Sequence, residues 1–202
     1  MSDTHGLHED IDLPTGAIVV HCGDALNRGY LQEATDFAEW FSQLPYQHKI
    51  YVPGNHDSAL EDSYVVEIFR KLGIYVLIDK RVMLAGIRFY GTPWVPTYGN
   101  WSFMRDEVDL LPVYSKIPDN IDVLITHGPP YGIADLTRRG VNAGSTSLLD
   151  VVKERKPKYH VFGHIHESRT VGFTEIDGTK FANVANLDRT YTYLSEPITL
   201  EL

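Results

Sequence analysis

The chain has 202 residues, of which 43% are hydrophobic and 22% are charged, a composition typical of a folded globular protein. We expect a single domain over residues 1–202, and the formal charge of −9 argues against tight binding to duplex nucleic acid. Cys22 is the only cysteine, which excludes an intrachain disulfide. With no signal peptide or long apolar span, the sequence predicts a cytoplasmic protein without a membrane partner.

Strands and helices alternate along much of the chain. Apolar residues at helical spacing predict helices from Leu31 to Leu44, Asp62 to Leu72 and Ser145 to Lys156. Two antiparallel hairpins are expected, one around Ala85-Gly86 and one around Asp177-Gly178, because strand-like runs flank both turns. A last strand is expected over residues 198–202. These elements predict a mixed α/β domain with two sheets or one large mixed sheet.

Four short apolar runs are each followed by a polar cluster, and a fifth cluster lies near the start of the chain. The clusters are Asp3-Thr4-His5, Gly23-Asp24, Gly54-Asn55-His56-Asp57, Thr126-His127 and Gly163-His164-Ile165-His166. Ligands in α/β proteins bind at the carboxyl ends of such strands. Imidazole and carboxylate groups bind borderline divalent metals, and these clusters offer too many ligands for one four-coordinate ion. The sequence therefore predicts two metal ions at one edge of a sheet.

Each cluster has an alternative interpretation when it is taken alone. Asn55-His56-Asp57 could be a capping turn, and a single histidine after a strand is more often structural than a ligand. The joint occurrence of the five clusters favours the metal site. Residues 92–104 form an aromatic loop with two interpretations, a wall on which substrate stacks or an ordered loop that covers the edge of the sheet, and we favour the second.

The combination of these clusters resembles the calcineurin-like metallophosphoesterase superfamily over essentially the whole chain. Gly23 to Gly29, Thr92-Pro93-Trp94, Thr126 to Pro130 and Gly163 to Glu167 are most similar to the metallophosphoesterase-domain-containing (fetal brain protein) group, which resembles class III cyclic-nucleotide phosphodiesterases. The resemblance implies a four-layer αββα sandwich and a metal-dependent phosphoric ester hydrolase. It implies two divalent ions, of manganese, iron, zinc or nickel.

The resemblance also implies a role for each matching residue. Asp3, His5 and His166 would bind the first metal, Asn55, His127 and His164 the second, and Asp24 would bridge the two. A metal-bridging hydroxide would attack phosphorus, and His56 would contact the phosphoryl oxygen and protonate the leaving group. Asp57 would orient His56, with a helix cap as the alternative. Arg28 could reach a substrate phosphate or form a surface salt bridge.

The chain departs from the family in one respect, because the first strand is lacking. Only Met1 and Ser2 precede Asp3, whereas a hydrophobic strand delivers this motif in the family. We expect Asp3 and His5 to lie in a fraying terminus, the first metal to bind more weakly than the second, and an apolar run to lie upstream of Ser2 in the full-length protein.

The expected substrate is a phosphodiester, such as a cyclic nucleotide, or a small phosphomonoester. A nuclease and a weakly active metal-binding scaffold protein are the alternatives. The negative charge and the lack of a basic stripe disfavour the nuclease. The presence of His56 and of the complete ligand set disfavours the scaffold, whereas the missing first strand favours it.

Overall fold

A computed structural model describes residues 1–192 and 195–202. Its four α-helices are α1 (Leu31–Gln43), α2 (Ser63–Lys71), α3 (Glu107–Tyr114) and α4 (Thr146–Arg155). The strands are β1 (Ile18–His21), β2 (His48–Tyr51), β3 (Ile74–Val76), β4 (Lys80–Leu84), β5 (Ile87–Thr92), β6 (Val95–Pro96), β7 (Met104–Arg105), β8 (Val123–Thr126), β9 (Tyr159–Phe162), β10 (Thr174–Ile176) and β11 (Thr179–Asn183). Short 3₁₀ turns lie at His8–Asp10, Ser58–Glu61 and His166–Ser168.

The strands form two main sheets. One has three parallel strands in the order β1-β2-β3. The other has six strands in the order β10-β11-β9-β8-β5-β4, with a parallel centre and an antiparallel hairpin at each edge. Parallel strands point their carboxyl ends to the same edge. The loops after β1 and β2 therefore share one edge of the first sheet, and the loops after β8 and β9 share one edge of the second.

Three apolar layers hold the sandwich together. Residues of α1 and α2, such as Phe37 and Phe69, pack on one face of the three-stranded sheet. Side chains such as Ile50 and Ile125 fill the space between the two sheets. Residues of α3 and α4, such as Leu110, pack on the outer face of the six-stranded sheet. The order helix, sheet, sheet, helix is the four-layer αββα sandwich that the sequence predicts.

The three helices predicted from apolar spacing are confirmed to within two residues at each end. Asp62 caps α2 by accepting the backbone N–H of Tyr64 at 2.9 Å, and Ser145 caps α4 by accepting that of Leu148 at 3.1 Å. Both predicted hairpin turns are also confirmed, by β4–β5 and β10–β11. Among the described residues, no helix combines the length and the apolar character needed to cross a membrane.

Three features of the fold differ from the predictions. Helix α3 was not predicted, because it contains Pro112 and has little amphipathic pattern, and neither was the three-residue strand β3. Residues 198–202 do not form the expected strand. This segment instead contributes Ile198 and Leu200 to the apolar layer between the sheets. Its apolar pattern reflects that packing.

The first residues are held firmly, so the expected fraying is wrong. The backbone N–H of Asp3 donates to Gly23 at 2.8 Å, and the N–H of Cys22 donates to Met1 at 2.9 Å. Ser2 forms an isolated parallel bridge with Ala185 on its other side. In the described part of the chain before β1, the backbone forms only this isolated bridge and no regular strand. The outer edge of β1 before Cys22 borders an apolar cavity of about 280 Å³ between the two sheets.

Candidate metal centre

The loops after β1, β2, β8 and β9 meet beside the first residues of the chain. They bring together all seven predicted metal ligands, which are Asp3, His5, Asp24, Asn55, His127, His164 and His166. The ligands come from five separate stretches of sequence. The edge of the sandwich at the carboxyl ends of these strands is therefore the one place where all the predicted clusters converge.

The first group consists of Asp3, His5 and His166, whose ligand atoms lie within 4.8 Å of one another. The buried carboxylate of Asp3 accepts the backbone N–H of His164, at 2.9 Å to Oδ2 and 3.1 Å to Oδ1. Nδ1 of His166 donates to the carbonyl of Leu187 at 3.0 Å. Because Nδ1 carries the proton, Nε2 of His166 has a lone pair that faces the site. This atom lies 3.6 Å from Oδ1 of Asp3.

The second group contains Asp24, His127 and His164, also within 4.8 Å, together with Asn55. Nδ1 of His127 donates to the carbonyl of Cys22 at 2.9 Å. Nε2 of His127 then lies 2.9 Å from Oδ1 of Asn55 and 3.1 Å from Nδ1 of His164. A carboxylate, an amide oxygen and two imidazole nitrogens thus lie close together, and most of these atoms are hydrogen-bond acceptors with few donors nearby. A cation would satisfy all of them at once.

Asp24 lies between the two groups. Its Oδ2 atom is 3.4 Å from Nε2 of His127 and 3.9 Å from Nε2 of His5. Its Oδ1 atom accepts the backbone N–H of His56 at 2.8 Å, which fixes the orientation of the carboxylate. Among the described residues, Asp24 is the carboxylate whose ligand atom lies within 4.8 Å of ligand atoms of His5 on one side and of His127 and His164 on the other. Its position supports the bridging role predicted from the sequence.

The charges of Asp24 and His127 stabilise each other. Burial disfavours the ionised Asp24 carboxyl, but the adjacent His127 outweighs this effect and holds the pKa of Asp24 below its usual range. Burial likewise opposes a charged His127, yet Asp24 raises the pKa of His127 to about 9. Burial and the nearby His127 lower the pKa of His164 to about 3. In the cation-free protein, Asp24 and His127 therefore share a proton that a bound metal ion would displace.

The ligand loops depend on unusual backbone conformations. Four predicted ligands have left-handed φ angles, namely Asp3 (55°), His5 (42°), Asp24 (55°) and His164 (71°). Such angles are uncommon for residues other than glycine and cluster at functional sites. Glycines allow the loops to approach closely, since a Cβ on Gly54 would lie 2.2 Å from Oδ1 of Asp24 and one on Gly163 would lie 2.0 Å from Oδ2 of Asp3.

Asp57 does not orient His56, so this prediction is wrong. Its buried carboxylate accepts three backbone N–H groups, those of Gly54 at 2.6 Å, Asp24 at 2.8 Å and Leu26 at 3.0 Å. The helix-cap alternative is also wrong, because the Asp57 side chain accepts no hydrogen bond from the 3₁₀ turn that follows it. Asp57 instead ties the loop after β1 to the loop after β2.

His56 lies at the open side of the cluster. One of its ring nitrogens is within 4.8 Å of ligand atoms of His5 and Asp24. Nδ1 of His56 donates to the carbonyl of Asn27 at 2.8 Å, which leaves Nε2 available for proton exchange. The indole of Trp101 stacks on the imidazole with ring centroids 4.4 Å apart. Asn27 and Trp101, rather than Asp57, hold the ring.

The aromatic loop over residues 92–104 covers the edge of the sheet, as we favoured, and the stacking of substrate on it stays a prediction. Phe103 is buried in the core and Trp94 packs against it, as expected for a loop that covers the edge of the sheet. Tyr98 and Trp101 are instead exposed, and their rings contact His164 and His56 respectively. The exposed half of this loop therefore borders the metal centre.

One residue that contacts the site carries no signal in the sequence. Tyr191 places its ring 4.7 Å from His5 and 5.0 Å from His166, centroid to centroid. No local pattern marks Tyr191. His21 matches no motif position and has a structural role, since it bonds Thr4 through Nε2 at 3.1 Å and accepts the N–H of Gly23 through Nδ1 at 3.2 Å.

The residues present fit divalent cations. The donor set consists of imidazole nitrogens, carboxylate oxygens and one amide oxygen, which suits zinc, iron, nickel or manganese. Both ring nitrogens of buried His5 lack a hydrogen-bond partner among the described residues. Buried polar atoms are nearly always paired, and a cation bound by His5 would supply the partner of one nitrogen. The arrangement can therefore bind metal and, through His56, exchange a proton beside it.

Comparison with known proteins agrees with this site and fold. The family model described as calcineurin-like phosphoesterase matches residues 1–168. Human metallophosphoesterase domain-containing protein 1 is 32% identical over 229 residues, covering 100% of this chain and 69% of the relative. A UPF0046 protein from Caenorhabditis elegans is 34% identical over 224 residues, covering 100% of this chain and 79% of the relative.

A solved structure shares the fold at low sequence identity. It is a crystal structure from Staphylococcus aureus assigned as a 5′-nucleotidase, with a TM-score of 0.52 and 14% identity. The alignment covers 91% of this chain but only 45% of that one. Together, these findings define a metal-dependent hydrolase of phosphoric esters. The chain belongs to the calcineurin-like phosphoesterase family, in the group of the metallophosphoesterase domain-containing proteins.

Proposed function

We propose that the chain hydrolyses a phosphodiester, such as a cyclic nucleotide, or a small phosphomonoester at a centre of two divalent cations. One cation would be held by Asp3, His5 and His166. The other would be held by Asn55, His127 and His164, and Asp24 would bind both. The observation that carries the proposal is the position of Oδ2 of Asp24, 3.4 Å from His127 and 3.9 Å from His5. Divalent cations bound there would supply Lewis-acid chemistry, lowering the pKa of water and neutralising phosphate charge.

His56 has the chemistry of a general acid in this reaction. Its Nδ1–H is committed to Asn27, so a proton delivered to substrate would come from Nε2. A water oxygen forms the new bond to phosphorus while that water gives up a proton to solvent, and the bond from phosphorus to the leaving alcohol breaks. The proton from Nε2 goes to the departing oxygen, and His56 recovers a proton from solvent. The products are an alcohol and a phosphate with one ester group fewer.

The charge of the chain bears on the class of substrate. A formal charge of −9 disfavours a long polyanion, whereas a small ester needs only the local field of the cations. We therefore propose a small-molecule partner and no duplex nucleic acid. A nuclease and a weakly active scaffold protein remain the alternatives, and the experiment below separates them.

The experiment combines metal analysis with hydrolysis assays on the purified protein. We expect about two manganese, iron, zinc or nickel ions per chain, and turnover of bis(p-nitrophenyl) phosphate or p-nitrophenyl phosphate with added Mn²⁺. Asp24→Ala should abolish both, whereas the matched exposed variant Asp36→Ala should change neither. Cleavage of plasmid DNA in preference to the small esters would favour the nuclease. Full metal content without turnover of any ester would favour the scaffold.

A further inference from the structure

A cavity of about 380 Å³ opens beside His56 and borders one proposed metal ligand, Asn55. The rest of its lining comes from three segments, namely the loop after β1 through Arg28, the turn Ser58–Glu61, and the aromatic loop through Asn100, Trp101 and Ser102. Its volume lies within the range of about 300–1,000 Å³ that is usual for ligand pockets. The roles predicted from the sequence concern only Arg28, Asn55 and His56 among its lining residues, and none of them concerns the leaving alcohol beyond its protonation by His56.

Four of the polar side chains that line the cavity are free to bind a ligand. In the described parts of the chain, the side chains of Arg28, Glu61, Asn100 and Ser102 make no hydrogen bond or ion pair with another protein group. They offer a guanidinium, a carboxylate, an amide and a hydroxyl. None of the described lining residues carries an aliphatic side chain. The cavity is therefore built to exchange hydrogen bonds in both directions rather than to bury hydrocarbon.

The position of the cavity relates it to one part of the substrate. His56 forms part of its wall, and Trp101 both stacks on His56 and lines the cavity. A group that receives a proton from His56 departs on this side of the metal centre. The cavity lies where the leaving alcohol would be held, while the phosphoryl group faces Asp24 and the histidines.

We propose that this cavity is a leaving-group pocket that selects phosphate esters of hydrophilic alcohols over esters of aliphatic or lipid alcohols. Arg28 and Asn100 donate to hydroxyl or carbonyl oxygens of the alcohol, Glu61 accepts from its hydroxyl or amino groups, and Trp101 packs against its carbon skeleton. Aromatic side chains suit this task because they present a large, rigid surface. The inference rests on the proposed function and specifies which ester the same site prefers.

Three phosphodiesters test the pocket, namely diglyceryl phosphate, dibutyl phosphate and bis(p-nitrophenyl) phosphate, each assayed with added Mn²⁺. Glu61→Gln and Asn100→Ala should each lower kcat/KM for the diglyceryl ester by about tenfold, the effect of one lost hydrogen bond. The loss for the dibutyl ester should be at least fivefold smaller. Both positions are exposed, so the thermal midpoint should not change. Glu67→Gln on α2, whose partner is Arg70, is the matched control.

The outcomes separate the pocket from the proposed function. A selective loss on the diglyceryl ester supports the pocket. Equal losses on all three esters, or no loss on any, would overturn it. A wild-type protein that hydrolyses bis(p-nitrophenyl) phosphate but prefers dibutyl to diglyceryl phosphate also refutes the pocket and leaves the proposed function intact. A wild-type protein with full metal content that is inactive on every ester refutes both.

Discussion

A divalent cation and a proton should compete at the pair formed by Asp24 and His127. Asp24 raises the pKa of His127 to about 9, so the imidazole of the cation-free protein is protonated at pH 7. Metal ligands must be deprotonated, and cation binding at pH 7 therefore displaces this proton. Two pH units correspond to about 3 kcal/mol, or about 100-fold in affinity. We expect cation affinity to rise about tenfold per pH unit from 7 towards 9.

The same pair gives the cation-free protein a pH-dependent stability of known sign. A folded pKa above the unfolded value of 6.5 contributes stability that is fully present below pH 6.5 and is lost as the pH rises through about 9. Saturating cation should reverse this trend between pH 6.5 and 9. His164 does not interfere in this window, because its lowered pKa of about 3 keeps it neutral there.

Calorimetry and thermal unfolding measure the two effects. The protein is first stripped of metal with a chelator and then titrated with Mn²⁺ at pH 7 in buffers of different ionisation enthalpy. We expect the release of about one proton per chain from this pair. His48→Ala, a histidine outside the cluster, should keep the release, and His127→Asn should lose it. An affinity that is flat from pH 7 to 9, with no proton released, would refute the raised pKa of His127.

Three substitutions should have distinct effects on metal content and activity. Asp24→Ala should remove both cations, whereas Asn55→Ala should weaken the binding of only one, and metal analysis distinguishes the two results. Retention of two tightly bound ions by the Asp24 variant would rule out the bridging role. His56→Ala should keep both cations but lose about 10²–10⁴-fold in turnover of esters with poor leaving groups, less for nitrophenolate, and an unchanged rate would remove His56 from catalysis. Gly163→Ala should lower metal content by displacing Asp3, because the new Cβ would lie 2.0 Å from its Oδ2 atom; full occupancy would contradict this.

The positions of the ligands could be predicted because each follows a recognisable strand. Apolar runs before Asp24, His127 and His164 identify β1, β8 and β9, and parallel strands deliver their following loops to one edge. This logic needs only the strand pattern and the identity of the next residues. The helices over residues 31–44, 62–72 and 145–156 were equally predictable, since each combines an apolar stripe with a cap or stop signal.

The remaining features depend on contacts between distant parts of the chain. Tyr191 contacts His5 across 186 residues of sequence, and no local pattern records that contact. The firm attachment of Asp3 depends on backbone bonds to Gly23, which replace the support expected from a preceding strand. Pro112 concealed α3, because proline inside a helix is normally a stop signal. Sequence periodicity carries none of this information.

The role predicted for Asp57 from the sequence is wrong, and its observed hydrogen bonds lead to a further prediction. Adjacency to His56 suggested an orienting partner, but the carboxylate binds three backbone N–H groups in two ligand loops. In Asp57→Asn, one of the two acceptor oxygens becomes an NH₂ group that faces a donor. At least one buried N–H is then left unpaired, and the charge that strengthened the others is lost. We expect about 3 kcal/mol of destabilisation and at least tenfold weaker binding of both cations.

This expectation distinguishes a loop tie from a role at His56. If Asp57 only tuned His56, the asparagine variant would retain its metals and lose turnover, as His56→Ala does. If it holds the loops, metal content and the midpoint of unfolding should fall together, and turnover should recover when excess Mn²⁺ refills the site. Asp62→Asn is the matched control, because Asp62 caps α2 through one exposed bond and should cost about 1 kcal/mol or less without affecting metals. A stable, fully metallated Asp57→Asn protein would refute the loop tie. Burial and the nearby Asp24 raise the pKa of Asp57 to about 6, and the backbone N–H groups of Gly54 and Leu26 oppose this rise. The carboxylate is therefore ionised at pH 7 and accepts all three N–H groups, whereas the neutral amide cannot accept from all three.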